Sequence, residues 1–344
     1  MTPPTLLVDG RVLDDQHPGI RRFWVPVLCA WAVRGGRGWV ACQRGCAPDP
    51  ALLDAGFSPV ELRCAARNPL ARWSCRRTVR QTGATATLSP LYLTLDGARR
   101  NLATVFDLIG RSHPRSWRSR LLWELALRRT TAAASGVICA TEASARVLAA
   151  TFPRLRGHIT VVPAIAPPPP PRDPQIVARF GLTPPYALVI GSHRPHKRLD
   201  ALAAAWHASG SHVPLVLLGA GTERLHAPPR VYGFGFVTDA ERDACLADAG
   251  CLVSASVAEG FGLPILAALV AGVPVVATRH AAIDEVAGEA AVWLEPHALD
   301  GLVGAALAAL ADPAGCDVRV ACGRRRAQEF TATRAATQLA HALE

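Results

Sequence analysis

The sequence predicts an α/β protein of two doubly wound domains, each built around a parallel sheet. The chain has 344 residues, which is enough for two domains of about 150 residues each. Both halves alternate short apolar strands with amphipathic helices, the pattern of parallel sheets that are covered by helices. Five consecutive prolines, Pro167–Pro171, exclude a helix or a central strand and therefore predict a stiff linker between the halves.

In the first half, apolar runs predict buried strands, and apolar residues at helical spacing predict helices. His17–Ile20 is expected to be a loop, followed by a helix over Arg22–Val33. Thr141 is the expected N-cap of a helix that runs to Ala150, because its hydroxyl can accept a hydrogen bond from a first-turn N–H. The predicted strands are Thr5–Val8, Trp39–Cys42, Leu102–Phe106, Gly136–Cys139 and His158–Val162.

The second half repeats this order and is expected to form a Rossmann-like sheet of its own. Ligands of such folds bind at the carboxyl ends of the strands, here in a cleft between the two domains. The predicted strands are Tyr186–Ile190, Leu215–Gly219, Arg230–Gly233, Cys251–Ser254, Pro274–Ala277 and Ala291–Leu294. The predicted helices are Leu199–His207, Asp239–Ala249 and Pro264–Ala271.

Lys197 is the only lysine of the chain, against 36 arginines. A lysine that persists in such an arginine-rich composition suggests a role that a wide, planar guanidinium cannot fill. It lies in the segment Gly191–Arg198, directly after a predicted buried strand. A glycine turn followed by a cation at this place favours a site for an anionic ligand.

The segment Ser254–Pro264 is the most specific pattern in the chain. Glu259 precedes Gly-Phe-Gly, where the chain can turn sharply, and Pro264 suits the first turn of a helix. The N–H groups of Phe261, Gly262 and Leu263 would then point at a ligand such as a diphosphate. Glu259 would stand beside that ligand and could accept hydrogen bonds from sugar hydroxyls.

Charge is divided unevenly between the halves. Residues 1–165 hold 23 arginines and 10 acidic residues, a net charge of +13, whereas residues 166–344 carry a net charge of −3. The first half therefore favours an anionic partner such as a membrane surface or a phosphorylated acceptor, unless it is simply an arginine-rich solvated face. No nucleic-acid-binding motif is present, so nucleic acid is not expected as a partner.

Several classes of protein are disfavoured by the sequence. The ten cysteines form no CxxC pair and no histidine cluster accompanies them, so neither zinc nor disulfides are expected. The longest apolar stretch, Ile265–Thr278, is too short for a membrane span and contains Gly272 and Pro274. The segment Met1–Gly10 lacks the features of a secretory signal.

Together these motifs resemble the glycosyltransferases of family 4, which have the two-domain GT-B fold. Glu259–Pro264 and the downstream Gly272–Val276 carry most of the resemblance. Gly191–Arg198 is similar to the family's lysine-bearing loop, with Lys197 on the family lysine. Pro18–Ile20 is similar to its N-terminal glycine loop, and Thr104–Ile109 matches its Val-His-Asp-Leu segment.

The resemblance implies transfer of a hexose from a nucleoside diphosphate sugar, with retention at the anomeric carbon and without a metal or other cofactor. Its domains would be residues 1–165 for the acceptor, a linker at 166–175, and residues 176–331 for the donor, with a last helix at about 332–344 packing back on the first domain. The implied catalytic residues are Glu259, Lys197 and Asp107. The implied donor-binding residues are Gly19, Phe106, Gly191, Arg194, His196, Lys197, Phe236, Glu259, Gly260, Phe261, Gly262 and Leu263.

Negative charge develops on the diphosphate as the glycosidic bond breaks, so preorganised cations lower the barrier. Lys197 would contact the diphosphate, with Arg194 or His196 as a second cation ahead of Arg198. Gly19 would let the N-terminal loop approach the diphosphate closely. Asp107 is expected either to orient the acceptor or to stabilise its own loop.

The chain departs from the family pattern at three positions. Ala267 stands where the family has a second glutamate, His196 where it has arginine, and Phe106 where it has histidine. Phe106 could offer an apolar wall to the methyl group of a 6-deoxyhexose, or it could simply pack in the cleft. These departures leave a second interpretation open, a GT-B scaffold or nucleotide-sugar-binding protein with impaired catalysis.

The expected partners are a nucleoside diphosphate sugar and a glycan or polyprenyl-diphosphate-linked acceptor of envelope polysaccharide or lipopolysaccharide biosynthesis. The charge of the first half adds an anionic membrane surface to these partners. We therefore expect a cytoplasmic protein that can lie peripherally on the inner face of the cell membrane.

Overall fold

A computed structural model describes residues 4–14, 16–62, 71–92, 95–114 and 116–344. Within these residues the chain divides into two compact units. The first unit contains residues up to 112, then 116–165, and finally the C-terminal segment Phe330–Glu344. The second unit contains Ala166–Glu329 together with the short segment at 113–115.

The first unit is built on a seven-stranded sheet in which all neighbouring strands are parallel. Its order is β3-β2-β1-β4-β5-β6-β7, so the order reverses between β1 and β4. The strands are β1 (Thr5–Asp9), β2 (Arg37–Gln43), β3 (Ser58–Leu62), β4 (Ala86–Ser89), β5 (Arg100–Thr104), β6 (Gly136–Cys139) and β7 (Ile159–Val161).

Six helices of the first unit connect these strands. They are α1 (Pro18–Val33), α2 (Pro50–Asp54), α3 (Ala71–Thr82), α4 (Ile109–Ser112), α5 (Trp117–Ala133) and α6 (Glu142–Thr151). Thr141 caps α6 as predicted, because its hydroxyl accepts a hydrogen bond from the N–H of Ser144 at 3.1 Å. The predicted loop at His17–Ile20 is wrong. Helix α1 already begins at Pro18, whose fixed φ suits the first helical position.

The second unit is built on a six-stranded parallel sheet in the order β10-β9-β8-β11-β12-β13. The strands are β8 (Ala187–Ile190), β9 (Leu215–Leu218), β10 (Val231–Gly233), β11 (Cys251–Ser254), β12 (Val275–Thr278) and β13 (Ala291–Leu294). The helices are α7 (Pro174–Arg179), α8 (Leu199–Ala208), α9 (Asp239–Ala247), α10 (Leu263–Ala271), α11 (Ala281–Ala287), α12 (Leu299–Ala311) and α13 (Asp317–Ala327). The predicted α/β class with two parallel Rossmann-like sheets is therefore confirmed.

Trp206 of α8 anchors the main core of the second unit. Its side chain is fully buried, and its indole N–H donates to the carbonyl of Val213 at 2.9 Å. Strands β8, β9 and β11 supply apolar side chains to the same core from one face of the sheet, and α12 covers them with Leu302 and Ala306. This packing fixes the carboxyl ends of β8 and β11, where the candidate functional residues follow.

The C-terminal helix α14 (Ala332–Leu343) lies against α1 in the first unit. The guanidinium of Arg34 donates to the hydroxyl of Thr337 at 2.7 Å, and that of Arg100 donates to the carbonyl of Ala342 at 2.7 Å. Among the described residues, no single helix is long and apolar enough to cross a bilayer. One pair, α12 with the helical segment at Ala314–Ala327, passes that test only jointly and bends by 113° at its break.

Candidate functional site

The strand order of the second unit reverses between β8 and β11. Strand β8 pairs with β9 on one side and with β11 on the other, so the connections after β8 and β11 leave the sheet in opposite directions. Such a reversal opens a crevice at the carboxyl ends of the two strands, and open α/β sheets bind their ligands there. The two most specific sequence motifs, Gly191–Arg198 and Ser254–Pro264, are the segments that follow these strands.

Lys197 closes a short 3-10 turn, Pro195–Lys197, in the connection after β8. Its side chain runs alongside Gly191, because a Cβ built on Gly191 would stand 3.3 Å from Cε and 3.4 Å from Nζ of Lys197. Any residue larger than glycine at this position would therefore press on the lysine side chain. The structure brings Gly191 and Lys197 together.

Glu259 lies in the connection after β11, and the ammonium of Lys197 donates a hydrogen bond to its carboxylate. Both side chains are only 16% exposed. Burial opposes ionisation of Glu259, but the charge of Lys197 and hydrogen bonds from Lys197 and Ser256 outweigh it and hold the carboxyl pKa below its ordinary value. Glu259 is therefore ionised at neutral pH.

A backbone hydrogen bond joins the same two connections. The N–H of Val257 donates to the carbonyl of His196 at 2.9 Å. A cavity of about 20 Å³ lies under the pair, lined by Lys197, Glu259 and Ser256 together with apolar side chains of the two strands. That volume suits one water molecule. The side chains around the ion pair are thus closely packed.

His196 is buried, with 5% of its surface exposed. Its pKa is lowered to about 4, mainly by burial and next by the charge of Lys197, while the charge of Glu259 opposes this shift. The imidazole is therefore neutral near pH 7, and its predicted role as a second cation, which depends on a diphosphate raising its pKa, stays a prediction. Its contribution in the structure is to packing and to the backbone bond with Val257.

The two neighbouring arginines differ in exposure. Arg194 is exposed, so its guanidinium remains available as a second cation. Arg198 adopts the left-handed conformation with φ of 54° and donates to the carbonyl of Pro296. Its side chain is committed there, which agrees with its lower rank in the sequence interpretation.

Helix α10 begins directly after the Gly260–Gly262 turn. Gly262 has φ of 92°, and a Cβ added to it would lie 2.8 Å from Cγ2 of Ile283. Both the backbone conformation and the space require glycine here. The side chain of Phe261 is 5% exposed and anchors the turn, so the backbone of Leu263 starts the helix beside Glu259.

The connections after β8, β9 and β10 pack closely through glycines. A Cβ on Gly219, whose φ is 142°, would lie 2.4 Å from the carbonyl oxygen of Gly191. The N–H of Gly219 donates to the carbonyl of Gly235 at 2.7 Å. Phe236 follows with 58% of its surface exposed, as an accessible aromatic face at the same end of the sheet.

Comparison with known proteins agrees with these features. Residues 184–312 match the family model described as Glycosyl transferases group 1, a range that contains both Lys197 and Glu259. The O-antigen chain mannosyltransferase B of Escherichia coli is 30% identical over 171 residues, which cover 46% of this chain and 45% of the relative. The chain thus aligns with less than half the length of this curated relative.

Solved structures extend the likeness to both units. The sucrose-phosphate synthase of Thermosynechococcus elongatus superposes with a TM-score of 0.76 at 16% identity, over 98% of each chain. The Anabaena protein HepE, solved in complex with UDP and glucose, has a TM-score of 0.74 at 17% identity, over 98% of each chain. WaaG, a glycosyltransferase involved in lipopolysaccharide biosynthesis, gives 0.66 at 15% identity, also over 98% of each chain. These superpositions show that this chain has the GT-B fold.

The predicted site residues fall into two groups. The second unit holds Gly191, Arg194, His196, Lys197, Phe236, Glu259, Gly260, Phe261, Gly262 and Leu263, all at the carboxyl end of its sheet. The other three, Gly19, Phe106 and Asp107, belong to the first unit. Ala267 lies within α10 and carries no group that could replace the hydrogen bond of the family's second glutamate.

The three residues of the first unit have distinct surroundings. Gly19 lies in the first turn of α1, where a Cβ would meet nothing within 4 Å, so local packing does not require glycine. Phe106 packs edge to face on Phe23, with ring centroids 4.9 Å apart. The carboxylate of Asp107 accepts the N–H of Ile109 at 2.9 Å, which stabilises the start of α4.

His280 joins the site although no sequence motif singled it out. It lies two residues after the end of β12, and its charged surroundings include Glu259 and Lys197. Burial lowers its pKa, and its Nε2 has no hydrogen-bond partner among the described residues. The only sequence signal was its place after a buried strand. Within the described part of the chain, no group of three or more His, Cys, Asp or Glu residues could hold a metal ion.

Proposed function

We propose that this chain is a retaining hexosyltransferase of glycosyltransferase family 4, which transfers a hexose from a nucleoside diphosphate sugar to a glycan or lipid-linked acceptor. The observation that carries the proposal is the Lys197–Glu259 pair at the reversal of strand order between β8 and β11. A cation and backbone N–H groups can bind the diphosphate of a sugar nucleotide, and a carboxylate can bind the hydroxyls of its sugar.

The charges assign a role to each residue in this reaction. Breaking the bond between the sugar C1 and the diphosphate leaves negative charge on the diphosphate and positive charge on the ring. The ammonium of Lys197 has three N–H donors, of which one goes to Glu259, so others can bind a phosphate oxygen. Arg194 adds a second cation, and Glu259 orients the ring through its hydroxyls. The oxygen of the acceptor hydroxyl then bonds to C1, and its proton leaves with the diphosphate.

A donor assay tests this proposal. Release or transfer of sugar is measured with UDP-glucose, GDP-mannose, GDP-fucose and dTDP-rhamnose, for the wild type and for Lys197→Ala and Glu259→Ala. Arg319→Ala, at an exposed arginine of α13, is the matched control. Turnover of one donor, lost in both site variants and kept in the control, supports an enzyme. Tight binding of a nucleotide without turnover of any donor supports the alternative, a catalytically impaired scaffold.

Two donor classes have specific support. Phe106 presents a ring where the family has histidine, which favours a 6-deoxyhexose such as rhamnose or fucose, whose methyl group would suit an apolar wall. The edge-to-face packing of Phe106 on Phe23 gives the ring a structural role as well. The relative named O-antigen chain mannosyltransferase B favours mannose instead. Phe106→His is expected to raise turnover of hydroxylated sugars relative to 6-deoxy sugars, and an unchanged ratio contradicts the first class.

We further propose that transfer requires no metal ion and that the protein works in the cytoplasm, peripherally on an anionic membrane. A chelator such as EDTA is then expected to leave turnover unchanged. The acceptor would be a glycan or a polyprenyl-diphosphate-linked intermediate of envelope polysaccharide assembly, in line with the net charge of +13 on residues 1–165.

A further inference from the structure

Helix α5 of the first unit carries apolar residues on two opposite faces. The inner face holds Leu127, Thr130 and Thr131, which are buried, and Leu127 packs in a core cluster with Leu148 of α6. At 100° per residue, Leu121 and Leu125 project about 120–180° away from Leu127 and Thr130 around the helix axis. The core of the unit therefore accounts for only one of the two faces.

The outer face is exposed along its whole length. Trp117 is 71% exposed, Leu121 53%, Leu122 68% and Leu125 46%. Four large apolar side chains on one helix are unusual at the surface of a soluble domain, where single exposed apolar residues are the norm. We call these four residues the outer stripe of α5.

Arginines surround the outer stripe. Helix α5 carries Arg118, Arg120, Arg128 and Arg129, all exposed, against one acidic residue, Glu124. The guanidinium of Arg128 donates to the carboxylate of Glu124, four residues earlier, at 3.1 Å. The helix therefore carries an excess of three arginines. The guanidinium of Arg118 lies over the ring of Trp117 at 5.3 Å, which keeps tryptophan and cation side by side.

A further arginine lies at the C-terminal end of the helix. The guanidinium of Arg154 donates to the hydroxyl of Thr131 at 2.7 Å, and the residue is exposed. Its charge therefore extends the positive surface beyond α5 itself. An acidic protein surface would neutralise the arginines, and a neutral apolar surface would cover the apolar side chains. An anionic bilayer would do both.

We propose that the outer stripe of α5 docks on an anionic lipid surface, with Trp117 and the three leucines at the boundary between headgroups and acyl chains and the arginines on the lipid phosphates. Tryptophan and leucine on one face, flanked by arginine, are typical of helices that lie in the plane of the membrane interface. This inference rests on the peripheral membrane location proposed above and specifies the helix that would contact the membrane. Its test requires neither a donor nor an acceptor.

Vesicle binding of the full chain tests the inference. Co-sedimentation is measured with vesicles of phosphatidylglycerol and phosphatidylcholine, and with vesicles of phosphatidylcholine alone. Leu121→Ser/Leu125→Ser is expected to lower the partition coefficient for the anionic vesicles by roughly tenfold or more. Arg118→Gln/Arg129→Gln is expected to lower it by about tenfold or more at low salt, and to lose most of that difference at high salt.

Matched control variants test whether vesicle binding depends on the outer stripe and its arginines, rather than on the total number of apolar and charged residues. Leu53→Ser removes an exposed leucine of α2, and Arg319→Gln/Arg325→Gln removes two exposed arginines of α13 in the second unit. Both control variants are expected to bind vesicles as the wild type does. Thermal unfolding of each variant verifies the fold, which the exposed positions should leave intact.

Trp117 offers a second readout that does not depend on lost binding. The difference between the emission spectra of wild type and Trp117→Phe should shift to the blue when anionic vesicles are added. Equal binding by wild type and Leu121→Ser/Leu125→Ser overturns the inference, as does equal binding to neutral vesicles. A self-association that these serines abolish, without vesicle binding, would instead assign the outer stripe to a second copy of the chain. Failure of the donor assay alone would leave this inference standing.

Discussion

The ammonium of Lys197 and the carboxylate of Glu259 form an ion pair between the connections that follow β8 and β11. The two residues are 62 positions apart in the chain, and the reversal of strand order brings them together. Glu259 thereby holds the only lysine of the chain at the carboxyl end of the sheet. The pair thereby joins the two segments that carry the most specific sequence motifs, Gly191–Arg198 and Ser254–Pro264.

Lys197→Arg tests whether the site needs a compact cation. The lysine stem runs past Gly191 within 3.3–3.5 Å of where a Cβ would stand, so the wider guanidinium has little space there. We expect turnover to fall by about a hundredfold or more although the charge is kept. Near-normal turnover of Lys197→Arg would mean that any cation at this place suffices.

Glu259→Gln tests the stabilisation that the pair gives to the fold. Because the folded pKa of Glu259 is lowered, its ionised form stabilises the protein above the unfolded pKa of about 4.3, and this contribution disappears as pH falls through the folded pKa. We expect Glu259→Gln to lose about 1–3 kcal/mol at pH 7. Chemical denaturation at a series of pH values measures this difference, which should shrink below about pH 4. A difference that is constant with pH would contradict the assignment.

His196→Asn tests the neutral, buried histidine. With a folded pKa of about 4, His196 binds its proton less readily than in the unfolded chain, where the pKa is about 6.5. Its contribution to stability is therefore complete above about pH 6.5 and is lost as pH falls toward 4, by an amount on the order of 3 kcal/mol. His196→Asn should flatten the pH dependence in that range, whereas His207→Asn, at an exposed histidine of α8, should leave it unchanged. If the free energy of unfolding changes with pH equally in both variants, the assignment of His196 as buried and neutral is contradicted.

Gly262→Ala tests the turn that starts α10. Its φ of 92° opposes a side chain, and an added Cβ would lie only 2.8 Å from Cγ2 of Ile283, so we expect a loss of about 1–3 kcal/mol in the free energy of unfolding. Gly304→Ala is the matched control, because Gly304 lies in α12 with nothing within 4 Å of its Cβ position. That control should stabilise the protein by up to about 1 kcal/mol, through better helix propensity. An unchanged free energy of unfolding in Gly262→Ala would show that the turn can accommodate a side chain, which would contradict this prediction.

The sequence predicted much of the second unit because its elements are strongly patterned. Strand Cys251–Ser254 and strand Ala291–Leu294 have the predicted bounds, since apolar runs end there at glycine or polar residues. In the first unit, β3 escaped prediction because Pro59 argues against a strand, and its place at the sheet edge makes the proline acceptable. Strand β4 has Leu88 as its only large apolar residue, and the burial of its threonine and serine is revealed only by the packed sheet.

The candidate site was predicted where residues lie within one motif and missed where the fold alone brings them together. Lys197 and Glu259 stood out by type and by their place after buried strands. His280 did not, because its approach to that pair depends on the pairing of β11 with β12. The lowered pKa of His196 was not predicted because it results mainly from burial, which the sequence does not show. Helix α5 was missed because apolar residues on both faces obscure a helical period.

We propose that Lys197 binds the diphosphate of the donor in the crevice between β8 and β11, and the strength of this binding can be determined. Isothermal titration calorimetry with UDP, GDP, dTDP and ADP measures it most directly, for the wild type, for Lys197→Met and for Arg319→Met as the matched control. We predict that the nucleotide that binds the wild type best binds Lys197→Met at least tenfold more weakly, about 1.4 kcal/mol, and binds the control unchanged. An affinity of Lys197→Met equal to that of the wild type would contradict the claim.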